Sequence, residues 1–228
     1  MSAAAEERRE RLVALYREVQ DCTRCPLHET RSKTVFGAGN ADADLMFVGE
    51  APGAEEDRQG LPFVGRAGQL LNQLLEEIGM NRDDVFIANV LKSRPPGNRD
   101  PQPLEIAACQ PYLFEQVRLI EPQVVCTLGN FATKLLSGSQ TGITRVRGVP
   151  QVHRLGGRTV FLLPLLHPAA ALRTPAMKET LRGDFATIPA LLAGPPAEPV
   201  PSAEEIAELE AEGGSSPPPP ADQLDMFG

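Results

Sequence analysis

The stretch LMFVGEAPG at residues 45–53 is an apolar run that ends in a turn rich in Gly and Pro. Three further apolar runs follow, at residues 85–91, 124–128 and 160–166. All four are nearly continuous in β-branched or bulky side chains, which is typical of strands buried on both faces of a sheet. Helical patterns accompany them, at residues 7–20, 68–78, 103–120, 131–136 and near 178–192. This alternation predicts an α/β fold with three layers (α/β/α) around a central, mainly parallel four-stranded sheet.

The length of 228 residues fits one catalytic domain with appendages. From Gly194 the composition changes to Pro, Glu, Ala, Gly and Ser, which bury too little apolar area to offset the entropy of ordering. We therefore expect a folded domain at residues 1–193 and a disordered, acidic and Pro-rich tail at 194–228.

The net charge of −8 does not describe the folded part. Eight of the 30 acidic residues and none of the 22 basic ones lie after residue 193, which leaves 22 of each sign in residues 1–193. A neutral domain is compatible with a DNA partner but is no evidence for one.

Nothing in the sequence predicts a membrane segment. The longest apolar runs, 160–166 and 186–193, fall well short of the ~20 residues that a span requires. The first 20 residues mix acids and bases at helical spacing and contain no apolar signal region. We expect a cytoplasmic protein that acts as a monomer.

The four cysteines, Cys22, Cys25, Cys109 and Cys126, predict a metal centre, because disulfides are rare in a reducing compartment. Cys22 and Cys25 stand in the polar segment DCTRCPLHET, where a core thiol would be out of place. The layout, C-x2-C followed far downstream by C-x16-C, does not match the paired knuckles of a zinc ribbon. Iron–sulfur and zinc both remain open on this evidence.

Unusual residues stand where the predicted strands end, at the sheet edge where α/β proteins bind ligands. The turn at 49–53 presents backbone N–H groups and the Glu50 carboxylate, and Phe63 lies between turn residues in GLPFVGRAG (60–68). Asn89 interrupts the apolar run VFIANVLK, and a buried carboxamide must find partners. His167 closes the last run just before Pro168.

Taken in this order, the segments GEAPG, GLPFVGRAGQLL, KSRPPGNRDPQPLE and HPAAALR resemble the uracil-DNA glycosylase superfamily. With the four cysteines they resemble its family 4, the iron–sulfur type, over about residues 22–192. The resemblance implies an enzyme that flips uracil out of single- or double-stranded DNA and hydrolyses its N-glycosidic bond.

The family resemblance also implies roles for particular residues. A 4Fe-4S cluster would be held by Cys22, Cys25, Cys109 and Cys126. Phe63 would stack on uracil, Asn89 would read its edge, and His167 would bond its O2. Backbone groups of Glu50, Ala51 and Pro52 would line the pocket. Many relatives place an Asp where this chain has Ala51, which leaves Glu50 or Glu56 to position the attacking water.

Two other functions compete with this interpretation. The covalent uracil-DNA-binding branch of the superfamily carries a nucleophilic His in the loop after the Asn strand, and the corresponding segment here, SRPPGNRDPQP, has no His. A non-enzymatic iron–sulfur or zinc interaction protein would leave Phe63, Asn89 and His167 without a shared purpose.

The last residues contain a second motif. QLDMF at 223–227 is an isolated apolar cluster after the proline run 217–220. It resembles the short peptide by which bacterial repair and replication enzymes bind the β sliding clamp, which implies that Gln223, Leu224, Met226 and Phe227 contact the clamp.

Overall fold

The computed structural model describes residues 3–198. Six strands form one sheet: β1 Ala38–Gly39, β2 Leu45–Gly49, β3 Phe86–Asn89, β4 Val124–Leu128, β5 Gln151–Leu155 and β6 Arg158–Leu165. The α-helices of this part of the chain are α1 Ala3–Gln20, α2 Ala54–Gln59, α3 Arg66–Glu77, α4 Pro103–Ile120, α5 Asn130–Ser137, α6 Ile143–Val146, α7 Pro168–Ala171, α8 Pro175–Phe185 and α9 Ile188–Ala193. Short 3₁₀ turns occupy Pro26–Glu29, Arg82–Asp84 and Pro96–Asn98. The tail predicted for residues 194–228, with its QLDMF motif, lies outside the described residues from residue 199 onward.

The strand order is β1-β3-β2-β4-β6-β5. The four central strands, β3, β2, β4 and β6, run parallel to one another. The edge strands β1 and β5 pair antiparallel with β3 and β6. The predicted α/β class is confirmed, but the predicted number of four strands is wrong, because the sheet has six. The missed edge strands lack the apolar character of buried ones: β1 has two residues, and in β5 only Leu155 is buried.

Helices cover both faces of the sheet. One face packs with α1, α4 and α5 in a core that includes Val48, Val125 and Leu162. The other packs with α3, α8 and α9 in a core that includes Phe47 and Leu163. Neighbouring residues of one strand therefore point into different layers, as the two-residue period of a strand requires, and the predicted three-layer arrangement is confirmed.

The predicted last helix, 178–192, is two helices in the structure. The break at residues 186–187 precedes Pro189, which occupies the first turn of α9 and has no place in a helix interior. None of the helices within residues 3–198 is long and apolar enough to cross a membrane.

Candidate active site

A cavity of about 510 Å³ opens where β2, β3 and β6 reach their carboxyl ends. It brings together seven residues that the sequence singles out: Glu50, Ala51, Pro52, Glu56, Phe63, Asn89 and His167. It also contains residues that sequence reasoning missed, among them Asn98 and Arg99. The ligand edge predicted from the fold class is therefore also the edge where these side chains converge.

Gly49 allows two of the cavity residues to approach the β2 backbone closely. It pairs with Asn89 across β2 and β3, and a Cβ at this position would lie 2.4 Å from Asn89 Oδ1 and 2.7 Å from Phe63 Cζ. No side chain fits there, so the amide of Asn89 and the ring of Phe63 both reach the same small space.

Asn89 is 2% exposed, and its Oδ1 atom has no hydrogen-bond partner within the part of the chain that the structure describes. Leaving a buried acceptor unpaired costs about 1–3 kcal/mol, and such atoms in native proteins point to an absent partner. Here the orphaned oxygen belongs to a residue that lines an open cavity. Asn89 is therefore positioned to accept a hydrogen bond from a ligand.

The loop that carries Phe63 is held from two sides. Phe63 itself has φ +48°, a left-handed conformation that costs a non-glycine residue about 1–3 kcal/mol. Arg82 donates to the carbonyls of Pro62 and Phe63, the latter at 3.1 Å. Glu56 Oε1 accepts the N–H groups of Val64 and Gly65, both at 3.0 Å. These contacts offset the strain and fix the ring against the cavity.

His167 is the N-cap of the short helix α7. Its Nδ1 accepts the N–H of Ala169 at 3.1 Å, so the proton of the neutral ring resides on Nε2. Burial lowers the pKa of His167 to about 4, and the Glu56 carboxylate only partly opposes that shift. At neutral pH the imidazole is an uncharged Nε2–H donor beside the ring of Phe63, with the ring centroids 5.7 Å apart.

The two candidate carboxylates occupy different environments. Glu56 is engaged by the backbone of the Phe63 loop. Glu50 is half-buried and lines the cavity, and its pKa is raised above its ordinary value, mainly by burial and secondly by the charge of Asp100. The backbone of Glu50 is fixed to the end of β3, because its carbonyl accepts the N–H of Leu91 at 3.0 Å.

A second cavity, of about 670 Å³, also touches Glu50 and His167. Its other walls come from Asp100 and α4 and from the start of α5, including Asn130, Phe131 and Lys134. The two cavities therefore share Glu50 and His167 as lining residues.

The segment 92–102 frames the first cavity. Arg99 forms an ion pair with Glu105, which is 1% exposed. The distance from Arg99 Nη1 to Glu105 Oε2 is 3.0 Å. Glu105 also accepts the N–H of Gln102 at the start of α4. The sequence gives no periodic signal for this pair, since it joins a loop to a helix across two prolines.

The structure brings three of the four predicted metal ligands to one side of the sheet. Cys22, Cys25 and Cys109 belong to the core beneath α1 and α4. Burial raises the pKa of the Cys109 thiol, and the nearby thiols of Cys25 and Cys22 add to the shift. Cys126 belongs to the core on the opposite face, and burial alone raises its thiol pKa.

These features define an α/β protein with a cavity at the carboxyl edge of its parallel strands, lined by an aromatic ring, a buried amide, an imidazole and carboxylates. The family model of the uracil-DNA glycosylase superfamily matches residues 36–186. The type-4 uracil-DNA glycosylase of Thermotoga maritima is 49% identical over 72% of this chain and 85% of its own length. Those of Sulfurisphaera tokodaii and Archaeoglobus fulgidus are 46% and 45% identical, over 75% and 78% of this chain and 80% and 92% of their own lengths. The chain belongs to the uracil-DNA glycosylase superfamily, and within it to the type-4 uracil-DNA glycosylases.

Proposed function

We propose that this protein excises uracil from DNA by hydrolysing the bond between the base and the deoxyribose. The observation that carries the assignment of the pocket is the orphaned Oδ1 of Asn89, buried in the same cavity as Phe63 and His167. An amide offers an acceptor and a donor side by side, which matches the N3–H and O4 of uracil. Cytosine presents an acceptor and an amino group there, so it mismatches the amide and is rejected.

The target base must leave the duplex before it enters this cavity. Extrusion costs a few kcal/mol and is easiest for a mispaired base such as uracil opposite guanine. Phe63 provides an aromatic surface for the extruded ring. The larger second cavity, with Lys134 on its wall, is suited to the DNA strand next to the extruded nucleotide.

Bond cleavage moves the electron pair of the C1′–N1 bond onto the uracil, whose O2 gains negative charge. His167 donates its Nε2–H to O2, and this hydrogen bond strengthens as the charge develops, so it stabilises the transition state more than the bound substrate. A water then forms a bond to C1′ and gives its proton to Glu50. Glu50 suits this step because it lines both cavities and is not engaged by the backbone of a neighbouring loop.

Leu172 is suited to fill the gap that the extruded base leaves in the duplex. Two residues of the turn after His167 face different environments: Ala171 is 2% exposed, whereas Leu172 is 39% exposed. An exposed apolar side chain next in sequence to Arg173, which lines the cavity, matches the wedges by which DNA-bending proteins separate bases.

The activity is tested by incubating the purified full chain with a labelled single-stranded oligonucleotide that contains one uracil. We expect free uracil and an alkali-labile abasic site, and no release from a matched oligonucleotide with thymine or cytosine. A stable protein–DNA adduct without turnover would instead identify a covalent uracil-binding protein.

The division of labour between the two carboxylates gives a second prediction. Glu50→Gln should lower the single-turnover rate by about 100-fold or more, the range for loss of a general base. Glu56→Gln should cost less than tenfold, because an amide oxygen still accepts the two loop N–H groups. An equal loss in both variants would contradict the assignment.

The pH profile provides an independent measure of the same assignment. Glu50 must be ionised to accept a proton, so activity is present above its pKa and is lost as the pH falls through it. Because that pKa is raised, the acidic limb should lie at higher pH than the ordinary range of a glutamate carboxyl. Asp100→Asn removes one cause of the rise and should move the limb to lower pH, and Glu50→Gln should abolish it.

We also propose that the chain carries the iron–sulfur cluster that its family resemblance implies. The three thiols of Cys22, Cys25 and Cys109 fit such a group, and the predicted fourth ligand, Cys126, does not, because it lies on the other face of the sheet. The cluster would have a structural role and would connect the segment after α1 to α4, which are distant in sequence.

The proposal for the tail rests on sequence alone. A Pro-rich segment is extended and semi-rigid at ~3.1 Å per residue, so residues 194–228 would present QLDMF to the β sliding clamp at a distance from the catalytic domain. Such tethering raises the local concentration of enzyme at the clamp.

We expect a peptide ending in PPPPADQLDMFG to bind the clamp of its own host, weakly because it must be ordered on binding. Leu224→Ala combined with Phe227→Ala should abolish clamp binding in the full chain and leave excision on free oligonucleotides unchanged. Equal clamp binding by the wild-type and doubly substituted proteins would refute the proposal.

A further inference from the structure

Cys126 is separated from the other thiols by the sheet itself. It lies in the middle of β4, where it pairs with Phe47 on one side and Leu163 on the other. All three side chains belong to the core under α3 and α8. Its neighbour Val125 points into the layer that contains Cys109. Moving the Cys126 thiol to that layer would require a one-residue shift of a central strand, which would reverse every side chain of β4.

Ser93 lies between the segments that carry Cys22 and Cys109. It is 4% exposed, and its Oγ accepts a hydrogen bond of 3.3 Å from Arg31 Nη1. The same Nη1 atom donates to the carbonyl of Cys22 at 2.7 Å. On its other side, the N–H of Lys92 donates to Cys109 Sγ at 3.4 Å. The Ser93 hydroxyl is thus held between the Cys22 segment and the Cys109 segment.

The placement of these groups within residues 3–198 is not that of a single-ion site. Within residues 3–198, no three side chains of the Cys, His, Asp and Glu types are placed to share one metal ion. Thiolates around a single zinc must be close neighbours, because each Zn–S bond measures ~2.3 Å. A four-iron cluster lies between its ligands and needs them further apart, with one ligand for each iron.

We propose that the iron–sulfur cluster of this protein is held by Cys22, Cys25 and Cys109, with Ser93 Oγ at the fourth iron, and that Cys126 is not a ligand. On coordination the Ser93 hydroxyl releases its proton to solvent. The guanidinium of Arg31, already in contact with Oγ, stabilises the resulting alkoxide. This inference rests on the proposed presence of a cluster and replaces one of its four predicted ligands.

The test uses full-length chains purified anaerobically: the wild type, Cys126→Ala, Cys109→Ala, Ser93→Ala and Ser93→Cys. Iron and sulfide per chain, visible absorption and the electron paramagnetic resonance spectrum of the reduced protein are measured, with circular dichroism as the control for folding. We expect Cys126→Ala to match the wild type and Cys109→Ala to lose its iron.

The Ser93 variants show whether the Ser93 hydroxyl is a ligand of the cluster or has only a structural role. Ser93→Cys should keep the cluster, change the g values of the reduced protein and slow iron loss to a chelator. Ser93→Ala should accelerate that loss about tenfold, a typical effect of disturbing a metal site.

Two outcomes would overturn the assignment: unchanged g values in both folded Ser93 variants, or loss of iron from a folded Cys126→Ala. A colourless wild type without iron that remains folded and excises uracil would instead refute the cluster itself, while leaving the glycosylase function intact.

Discussion

Replacing Asn89 by Asp should slow single-turnover excision of uracil by about 1,000-fold or more, because a site built to hydrogen-bond its substrate discriminates by about 10⁴ to 10⁵ against the wrong pattern. Asn89 offers uracil both a donor and an acceptor, whereas a carboxylate offers only acceptors. The carboxylate would then face the O4 oxygen of uracil, which is also an acceptor. The rate is measured with enzyme in excess over a labelled oligonucleotide.

A matched change at another asparagine shows whether the loss is specific. Asn40 Oδ1 accepts the N–H of Asp42 at 3.0 Å in a turn remote from the cavity, and Asn40→Asp keeps that acceptor. We expect this variant to retain the wild-type rate. A folded Asn89→Asp protein that also retains it would show that Asn89 does not read the base.

Asn89→Leu separates function from stability. The substitution removes the unpaired Oδ1 acceptor, and the leucine side chain has a volume similar to that of asparagine. The midpoint of thermal unfolding should therefore stay the same or rise, while excision is lost. A large fall in the midpoint would indicate that the Asn89 amide has a structural role in the free protein.

The central elements of the fold were predictable because their signals are local. β4 and α4 have the predicted bounds, Val124–Leu128 and Pro103–Ile120. The first is a short, continuous apolar run. The second has Pro103 in its first turn and a capping box formed by Gln102 and Glu105, which are strong signals for a helix start.

Other features depend on contacts that a sequence does not reveal. The strand that contains Cys126 was predicted with correct bounds, but C-x16-C spacing does not say which face of a strand a thiol occupies. Residue parity within the run would have placed Val125 and Cys126 in different layers. The role of Arg82 had no signal at all, since it acts on Phe63 by donating to backbone carbonyls 19 and 20 residues earlier.

The segment from Asn89 to Ser93 connects the two sites of the molecule. Lys92 is fully buried, and its Nζ donates to the carbonyl of Asn89 at 2.9 Å and to Gln116 Oε1 at 2.6 Å. Its backbone N–H donates to Cys109 Sγ. The backbone of Asn89 and the thiol of Cys109 are thus both bonded to Lys92, the first through its Nζ and the second through its backbone N–H.

Replacing His167 by Ala should lower the single-turnover rate by about 100- to 1,000-fold, the usual cost of removing one donor to a developing anion. The change also removes the cap of α7, which is worth about 1 kcal/mol. His167→Asn distinguishes the loss of the donor from the loss of the cap. The Asn side-chain oxygen can still accept the N–H of Ala169 in place of Nδ1. The Asn amide is shorter than the imidazole, so it cannot donate to uracil O2 from the position of Nε2–H.

We therefore expect His167→Asn to unfold at the wild-type temperature and to be as slow as His167→Ala. His153→Ala, a change on the edge strand β5, is the control for removing an imidazole and should leave the rate unchanged.

Because the pKa of His167 is lowered to about 4, the wild-type rate should show no inflection near pH 6.5 from this residue. The unfolded chain takes up a proton at this imidazole between pH 6.5 and about 4, so its contribution to stability is present above that range and is lost as the pH falls through it. If His167→Asn recovered the wild-type rate, capping of α7 would be the role of this residue, and the charge on uracil O2 would have to be stabilised by another group.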